Sequence, residues 1–174
     1  MKKSGIISSL LKVLLIFISV CNFSCNKPGC IDCRALNYDS KANTNDNSCQ
    51  YLNKDKIGIY KIQDSILSPI TMKWSKNQYL IELKRENCSS DQLSNPQNVI
   101  ISNYANLNHK FDNYSFDVTA QVTNETITIK PQSVLGYRIN QSTGYFSNDS
   151  LYFDIEFENE NGKVFYGSSF GKKN

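Results

Sequence analysis

The chain is poor in the residues that most often carry chemistry. Its 174 residues include one histidine, one tryptophan and two methionines. The histidine, His109, falls in the loop Ala105–Asp112 with no serine or cysteine in a partner arrangement, so it reads as a surface residue rather than a catalytic base. The longest apolar run, Leu10–Val20, has 11 residues, whereas a helix crossing a bilayer needs about 20. There is no glycine-rich phosphate loop and no Asp-x-Asp-x-Asp-Gly calcium loop. A lone Cys30-x-x-Cys33 lacks the second pair or the histidines that a zinc site needs. No segment carries a helical period. No catalytic residue and no metal site is assigned on this reading.

Charge of one sign is also missing. The formal charge is +3, but Lys2, Lys3 and Lys12 all precede residue 24, where no acid occurs. Without them sixteen basic residues face sixteen acidic ones. A balanced surface leaves no electrostatic footprint for nucleic acid.

What the chain has is tyrosine (10), phenylalanine (9) and many Asn, Ser, Thr and Ile residues, which favour strands and turns. From Lys56 to Phe170 apolar side chains alternate at period two. Leu151, Phe153, Ile155 and Phe157 share one face, and Tyr152, Asp154, Glu156 and Glu158 the other. Phe116, Val118, Ala120 and Val122 form a second such set, Ile127 and Ile129 a third. Further strands are predicted at Ile57–Gln63, Ile70–Trp74, Gln78–Lys84, Val99–Tyr104, Gly136–Asn140 and Lys163–Phe170. Asn161-Gly162 predicts a type I′ hairpin, and Asn124-Glu125 and Asn148-Asp149 two more tips. Glu86–Asn98 is the longest loop, with a single helical turn at Asp91–Leu93. The predicted fold is all-β, an antiparallel meander closing into a small barrel or sandwich, lipocalin-like at most by analogy. Tyr137, Tyr145, Tyr152 and Tyr166 are candidates to line a ligand groove.

The N-terminus has the build of a secretion leader. Met1-Lys2-Lys3 is a basic start, followed by the short apolar core. The end of this leader resembles a bacterial lipoprotein lipobox, with Ser24-Cys25 at its two central positions. Asn22 stands where that motif has an aliphatic residue. Cys21 is the alternative, preceded by suitable Ile18 and Ser19 but by the larger Val20. The lysine-rich start and the Cys-Asn-Lys beginning resemble Bacteroidota-type envelope lipoproteins. That resemblance implies acylation at Cys25 and an outer-membrane lipoprotein, periplasm-facing because residues 26–29 lack an acidic cluster.

Export leaves Cys30, Cys33, Cys49 and Cys88 in a disulfide-permissive compartment, with three connectivities open. Residues 29–51 resemble a short module of secreted Bacteroidota proteins through Cys30, Asp32, Ala35, Asn37, Tyr38, Ala42, Asp46, Ser48, Cys49 and Tyr51. The resemblance implies a Cys30–Cys49 bridge and leaves Cys33 to pair with Cys88. The segment's many Asp and Asn oxygens, including Asp32, Asp39 and Asp46, make calcium a conceivable cofactor, and an Asx-turn role the simpler one. The stretches Gly58–Ser65, Val99–Tyr104, Ala120–Gln132 and Leu151–Lys173 resemble a small β-domain of such lipoproteins, which implies no activity.

The expected organisation is a signal peptide at 1–24, a lipidated tether at 25–29, a disulfide-closed Asx-rich module at 30–52 and a β-domain at 55–174. The expected function is that of a protein anchored to a membrane by lipid, whose non-enzymatic domain binds a small ligand or another envelope component. The alternative is an anchored hydrolase or inhibitor.

Overall fold

In a computed structural model, which describes residues 26–88, 95–110 and 115–174, alternation at period two becomes a closed barrel. Two-residue strands β1 (Pro28–Gly29) and β2 (Thr44–Asn45) pair in the N-terminal module. The barrel follows as β3 (Gly58–Ser68), β4 (Lys73–Arg85), β5 (Asn98–Ser102), β6 (Asp117–Thr123), β7 (Thr126–Ile129), β8 (Gln132–Val134), β9 (Tyr137–Ile139), β10 (Ser142–Ser147), β11 (Ser150–Glu158) and β12 (Val164–Lys173). Neighbours run β3-β4-β5-β6-β7-β10-β11-β12, and β12 returns to pair with β3. All these pairs are antiparallel, giving an eight-stranded up-and-down barrel. The β8–β9 hairpin continues the β7–β10 hairpin in unbroken register, since Ile129 faces Ser142 and Gln132 faces Ile139.

The faces divide as the sequence predicts. Ile62, Ile81, Leu83, Ile101, Val118, Ile127, Ile129, Leu151 and Ile155 are fully buried in one core. Each such side chain contributes roughly 1.5–3 kcal/mol of transfer free energy. Lys61, Gln63, Ser65, Lys76 and Gln78 alternate outward. An apolar interior with a polar exterior is the reverse of a membrane-spanning barrel.

Several expectations are corrected. Ile70–Trp74 is not a separate strand: Pro69–Met72 is the loop between β3 and a long β4 that absorbs both Trp74 and Gln78–Lys84. Pro69 offers no amide to prolong the ladder, and the Met72 amide instead donates to Ser68 O at 2.8 Å. Gly136 is not in a strand either. With Leu135 it forms the β8–β9 turn, both at positive φ (46° and 83°), the type I′ geometry expected elsewhere. The β11–β12 connection is longer than a type I′ turn. Only Gly162 has positive φ there, and its amide donates to Asn159 O at 2.9 Å. The Asn159 side-chain oxygen accepts from the amides of Asn161 and Lys163, which draws five residues into the loop. Tyr104 leaves β5 to begin a 3-10 segment, Tyr104–Lys110, whose Tyr104, Ala105 and Leu107 are buried in the core. The leader, Cys25 and the turn at Asp91–Leu93 lie outside the described residues.

The module caps the barrel end where β4 finishes and β12 terminates. Cys30 bonds Cys49 within the module, and Cys33 bonds Cys88 just past β4. The Arg85 guanidinium lies 4.4 Å from the Tyr51 ring centroid. Asn53 Nδ2 donates to Val122 O, and Lys173 Nζ to Asp55 O. Lys56 Nζ joins Glu125 at 2.7 Å and Asp55 at 3.1 Å, above the Phe146 ring.

Two measurements probe this arrangement. The Cys33–Cys88 bond joins residues 55 apart, a loop worth about 4 kcal/mol in the chain-entropy model. The double variant Cys33→Ala/Cys88→Ala is expected to lose about 2–4 kcal/mol in urea denaturation while keeping its far-ultraviolet β signature. Gly144 on β10 lies so close to β11 that a Cβ would strike Tyr152 O and Phe153. Gly144→Ala is therefore expected to cost about 1–3 kcal/mol in the same assay.

Candidate functional site

Among the described residues a large concavity lies on the outside of the barrel. A cleft of about 1020 Å³ crosses the outer faces of β7, β10, β11, β12, β3 and β4. It runs across the strands, along a valley of the pleat. The register explains its walls. On one side Tyr145 pairs with Tyr152, Tyr152 with Phe170, Phe170 with Gln63, and Gln63 with Gln78. Two residues further along each strand, Asp154 pairs with Ser168, Ser168 with Ser65, and Ser65 with Lys76. The floor is the backbone of the inward row between them, Gly144, Phe153, Ser169, Asp64 and Asn77. Gly144 in this row lies pressed against β11, where a Cβ would strike Tyr152 O and Phe153.

The first wall is an aromatic ladder. Tyr145 and Tyr152 stack with centroids 4.7 Å apart and planes 13° from parallel, and Phe170 follows at 4.9 Å. Cross-strand aromatic pairs of this kind contribute roughly 0.2–1 kcal/mol each to the sheet. Yet Tyr145 remains 54% exposed and Phe170 38% exposed. The ladder therefore presents apolar surface to solvent beside hydroxyls and amides. Six strands separated by about 4.8 Å give the cleft a length of about 24 Å.

The four tyrosines singled out in the sequence separate in space. Tyr145 and Tyr152 meet in the cleft. Tyr137 points inward, edge-on to Phe116 at 5.5 Å and beside Phe157. Tyr166 is exposed one valley away, in a smaller cleft of about 450 Å³ with Thr143 and Asp154. Phe170, Gln63, Gln78 and Lys76 were not singled out. Alternation assigns them to the outer face, but only the register of β12 on β3 and β4 brings them level with the tyrosines. His109 belongs to the 3-10 segment, and its side chain lies outside the described residues.

Beneath the floor sits a buried polar group. Asp64 is 4% exposed. Its Oδ1 accepts from Asn77 Nδ2 at 2.9 Å, while Oδ2 is buried with no hydrogen-bond partner. Burial pushes the Asp64 carboxyl above the ordinary range, opposed chiefly by the Asn77 hydrogen bond. The Tyr79 hydroxyl, far above its usual range through burial and then the Asp64 charge, interacts with the same carboxylate.

In the module the oxygens suggested for calcium serve the chain itself. Asp32 takes a two-pronged bond from Arg34, at 2.9 Å on each prong, and a third from the Tyr51 hydroxyl at 2.7 Å. The Arg34 bond above all holds the Asp32 carboxyl well below its usual range. Asp39 pairs with Lys27 and receives the Lys41 amide. Asn37 bridges Ser48 O and the Gln50 amide. Asp46 and Asn45 accept from backbone amides two residues on. These are Asx turns. Asp32, Cys33 and Cys88 lie close together, but the disulfide removes both thiolates as ligands.

Comparison with known proteins gives little. No family model matches the chain, and no curated protein matches it. A solved structure from Nostoc punctiforme, a protein of unknown function in the DUF3598 family, is similar at 9% identity and a TM-score of 0.42. The match covers 71% of this chain and 49% of that one, so the chain spans about half that structure's length.

The strained carboxylate under the floor has a testable sign. A carboxyl with a raised folded-state pKa favours folding below its ordinary pKa, and that contribution is lost as pH rises through the raised value. Asp64→Asn removes the buried charge and keeps the Asn77 contact. It is expected to stabilise the protein at pH 7 by on the order of 1 kcal/mol. It should also flatten the fall in stability between pH 4 and 7, as read by thermal melts at each pH.

Proposed function

We propose that this chain is an envelope protein held in a membrane by lipid on Cys25, with a barrel that acts as a non-enzymatic binding module. The observation that carries the binding reading is the location of the free concavity. The interior is filled by the Ile, Leu, Val and Phe side chains of the core, so a lipocalin-like internal ligand has little room. The outer cleft, by contrast, combines exposed aromatic surface with convergent hydroxyl and amide groups, as ligand sites do. Among the outward side chains lining it, Asp154 is the one carboxylate. The second lining carboxylate, Asp64, is buried in the floor and bonded to Asn77, so the cleft does not present the accessible pair that glycoside hydrolysis uses, which favours binding over the hydrolase alternative.

The anchoring reading is supported by the basic start, the short apolar core and Ser24-Cys25. Two or three acyl chains, at about 0.8 kcal/mol per buried methylene, make a stable anchor. The described chain begins at the capping module.

Mass spectrometry of the purified protein should show a chain beginning at an acylated Cys25. Cys25→Ser should move the protein from the membrane fraction to the soluble fraction of disrupted cells. An intact Met1 without acyl groups overturns the anchor. A mature chain beginning at acylated Cys21 would instead move the anchor site four residues toward the N-terminus.

A further inference from the structure

The two halves of the cleft differ, and the difference limits what fits. Over β10, β11 and β12 one wall is the aromatic ladder and the other carries Asp154 and Ser168. Over β3 and β4 the walls are Gln63 and Gln78 against Ser65 and Lys76. Most of the polar lining groups are amides and hydroxyls, each both donor and acceptor. Among the outward side chains the formal charges, Asp154 and Lys76, balance, and the one further carboxylate, Asp64, is buried in the floor.

We infer that the cleft binds a linear, neutral oligosaccharide lying across the strands. This rests on the reading of the barrel as a binding module. A sugar chain offers alternating C–H faces and hydroxyls, each hydroxyl both donor and acceptor. Those are the two kinds of surface this cleft presents together. The spacing also matches. Side chains recur along the ladder at 4.7 and 4.9 Å, close to the advance of one pyranose unit, so successive sugars meet equivalent positions on successive strands. The length of about 24 Å holds about five such units. Tyr145 ends the stack. Its next cross-strand neighbour is the small Thr126, and it is more than half exposed. That ring is placed to take the flat face of a terminal sugar. An extended peptide fits less well, because a cleft across the strands of a closed sheet gives its backbone no ladder to join. An acyl chain would leave the glutamines and serines without partners.

The test is titration calorimetry of the full mature protein with cellohexaose, chitohexaose, maltohexaose and hexagalacturonic acid. Variants Tyr145→Ala, Gln63→Ala, Lys76→Ala and Glu82→Ala are titrated alongside. Glu82 is exposed on β4 outside the cleft and serves as the control. Thermal melts establish that each variant folds. At least one neutral hexasaccharide should bind. Tyr145→Ala and Gln63→Ala should each weaken it tenfold or more, while the control Glu82→Ala stays within threefold. Exclusive binding of hexagalacturonic acid, with a tenfold loss in Lys76→Ala, overturns the neutral-glycan inference. If no hexasaccharide binds but 1-anilinonaphthalene-8-sulfonate binds and is lost in Tyr145→Ala, the glycan inference falls and the binding-module reading stands. If none of these probes responds to Tyr145→Ala, both fall.

Discussion

Everything in this molecule depends on the return of β12 to β3. The last strand of the meander pairs with the first over eight residues, from Tyr166 opposite Leu67 to Lys173 opposite Tyr60. Without it both would be long edge strands, open to association with other chains. Closure demands close approach. Gly167 and Gly171 sit on the inner face of β12, where a Cβ would collide with Ser65 O and with Ile62. Closure is also a non-local contact that joins the two ends of the domain, so loop-closure entropy must be overcome before it stabilises anything. The apolar inner face supplies the driving force. The end of the seam is further tied, because Lys173 Nζ donates to Asp55 O and the Asn174 amide to Ile59 O.

The sequence revealed the architecture more fully than the site, for a physical reason. Burial alternates at period two and leaves a trace in every strand, so Leu151–Phe157 and Phe116–Val122 were legible as half-buried strands. Asn124 and Asn148, both at positive φ, were legible as hairpin tips. Strand length was less legible. The β3–β4 hairpin projects with Ile70, Met72 and Trp74 exposed, and apolar residues in a loop imitate a short strand. The cleft depends on register, which no single strand encodes. Tyr145 and Tyr152 are seven residues apart and meet across one hairpin, within reach of a sequence argument. Phe170 and Gln63 are 107 positions apart and become neighbours only through closure. Likewise Asp64 occupies an apolar-face position in β3, and nothing local distinguishes it from the outward Asp154.

The module shows how a segment with almost no core of its own is kept ordered. Of its side chains only Cys30 and Ala35 are buried apolar groups. Order comes from the Cys30–Cys49 bond and from side-chain oxygens that accept backbone amides in place of a ladder. Asp32 is the joint between this segment and the barrel. It holds Arg34 and the Tyr51 hydroxyl, and Tyr51 in turn lies under Arg85 of β4. The Cys33–Cys88 bond runs beside that contact. Charge and covalency thus act together at one corner, where apolar burial would be too small to suffice.

These constraints together decide where a ligand has access. A closed barrel has no free edge along its closing seam, so strand addition there is blocked. Its core is filled. One end is covered by the module, and the 3-10 segment at Tyr104–Leu107 folds its side chains into the interior. What remains is the outer face, normally the convex and least distinctive surface of a small barrel. Here it is made distinctive by the exposed aromatic ladder and the amides and hydroxyls beside it. Gly144 on β10 and Gly167, Ser169 and Gly171 on β12 occupy inward positions on the two strands that flank β11. Asp64 lies in that inward row opposite Ser169. Its unpaired Oδ2 is then a cost the fold carries at the place where closure and the outer cleft share a wall.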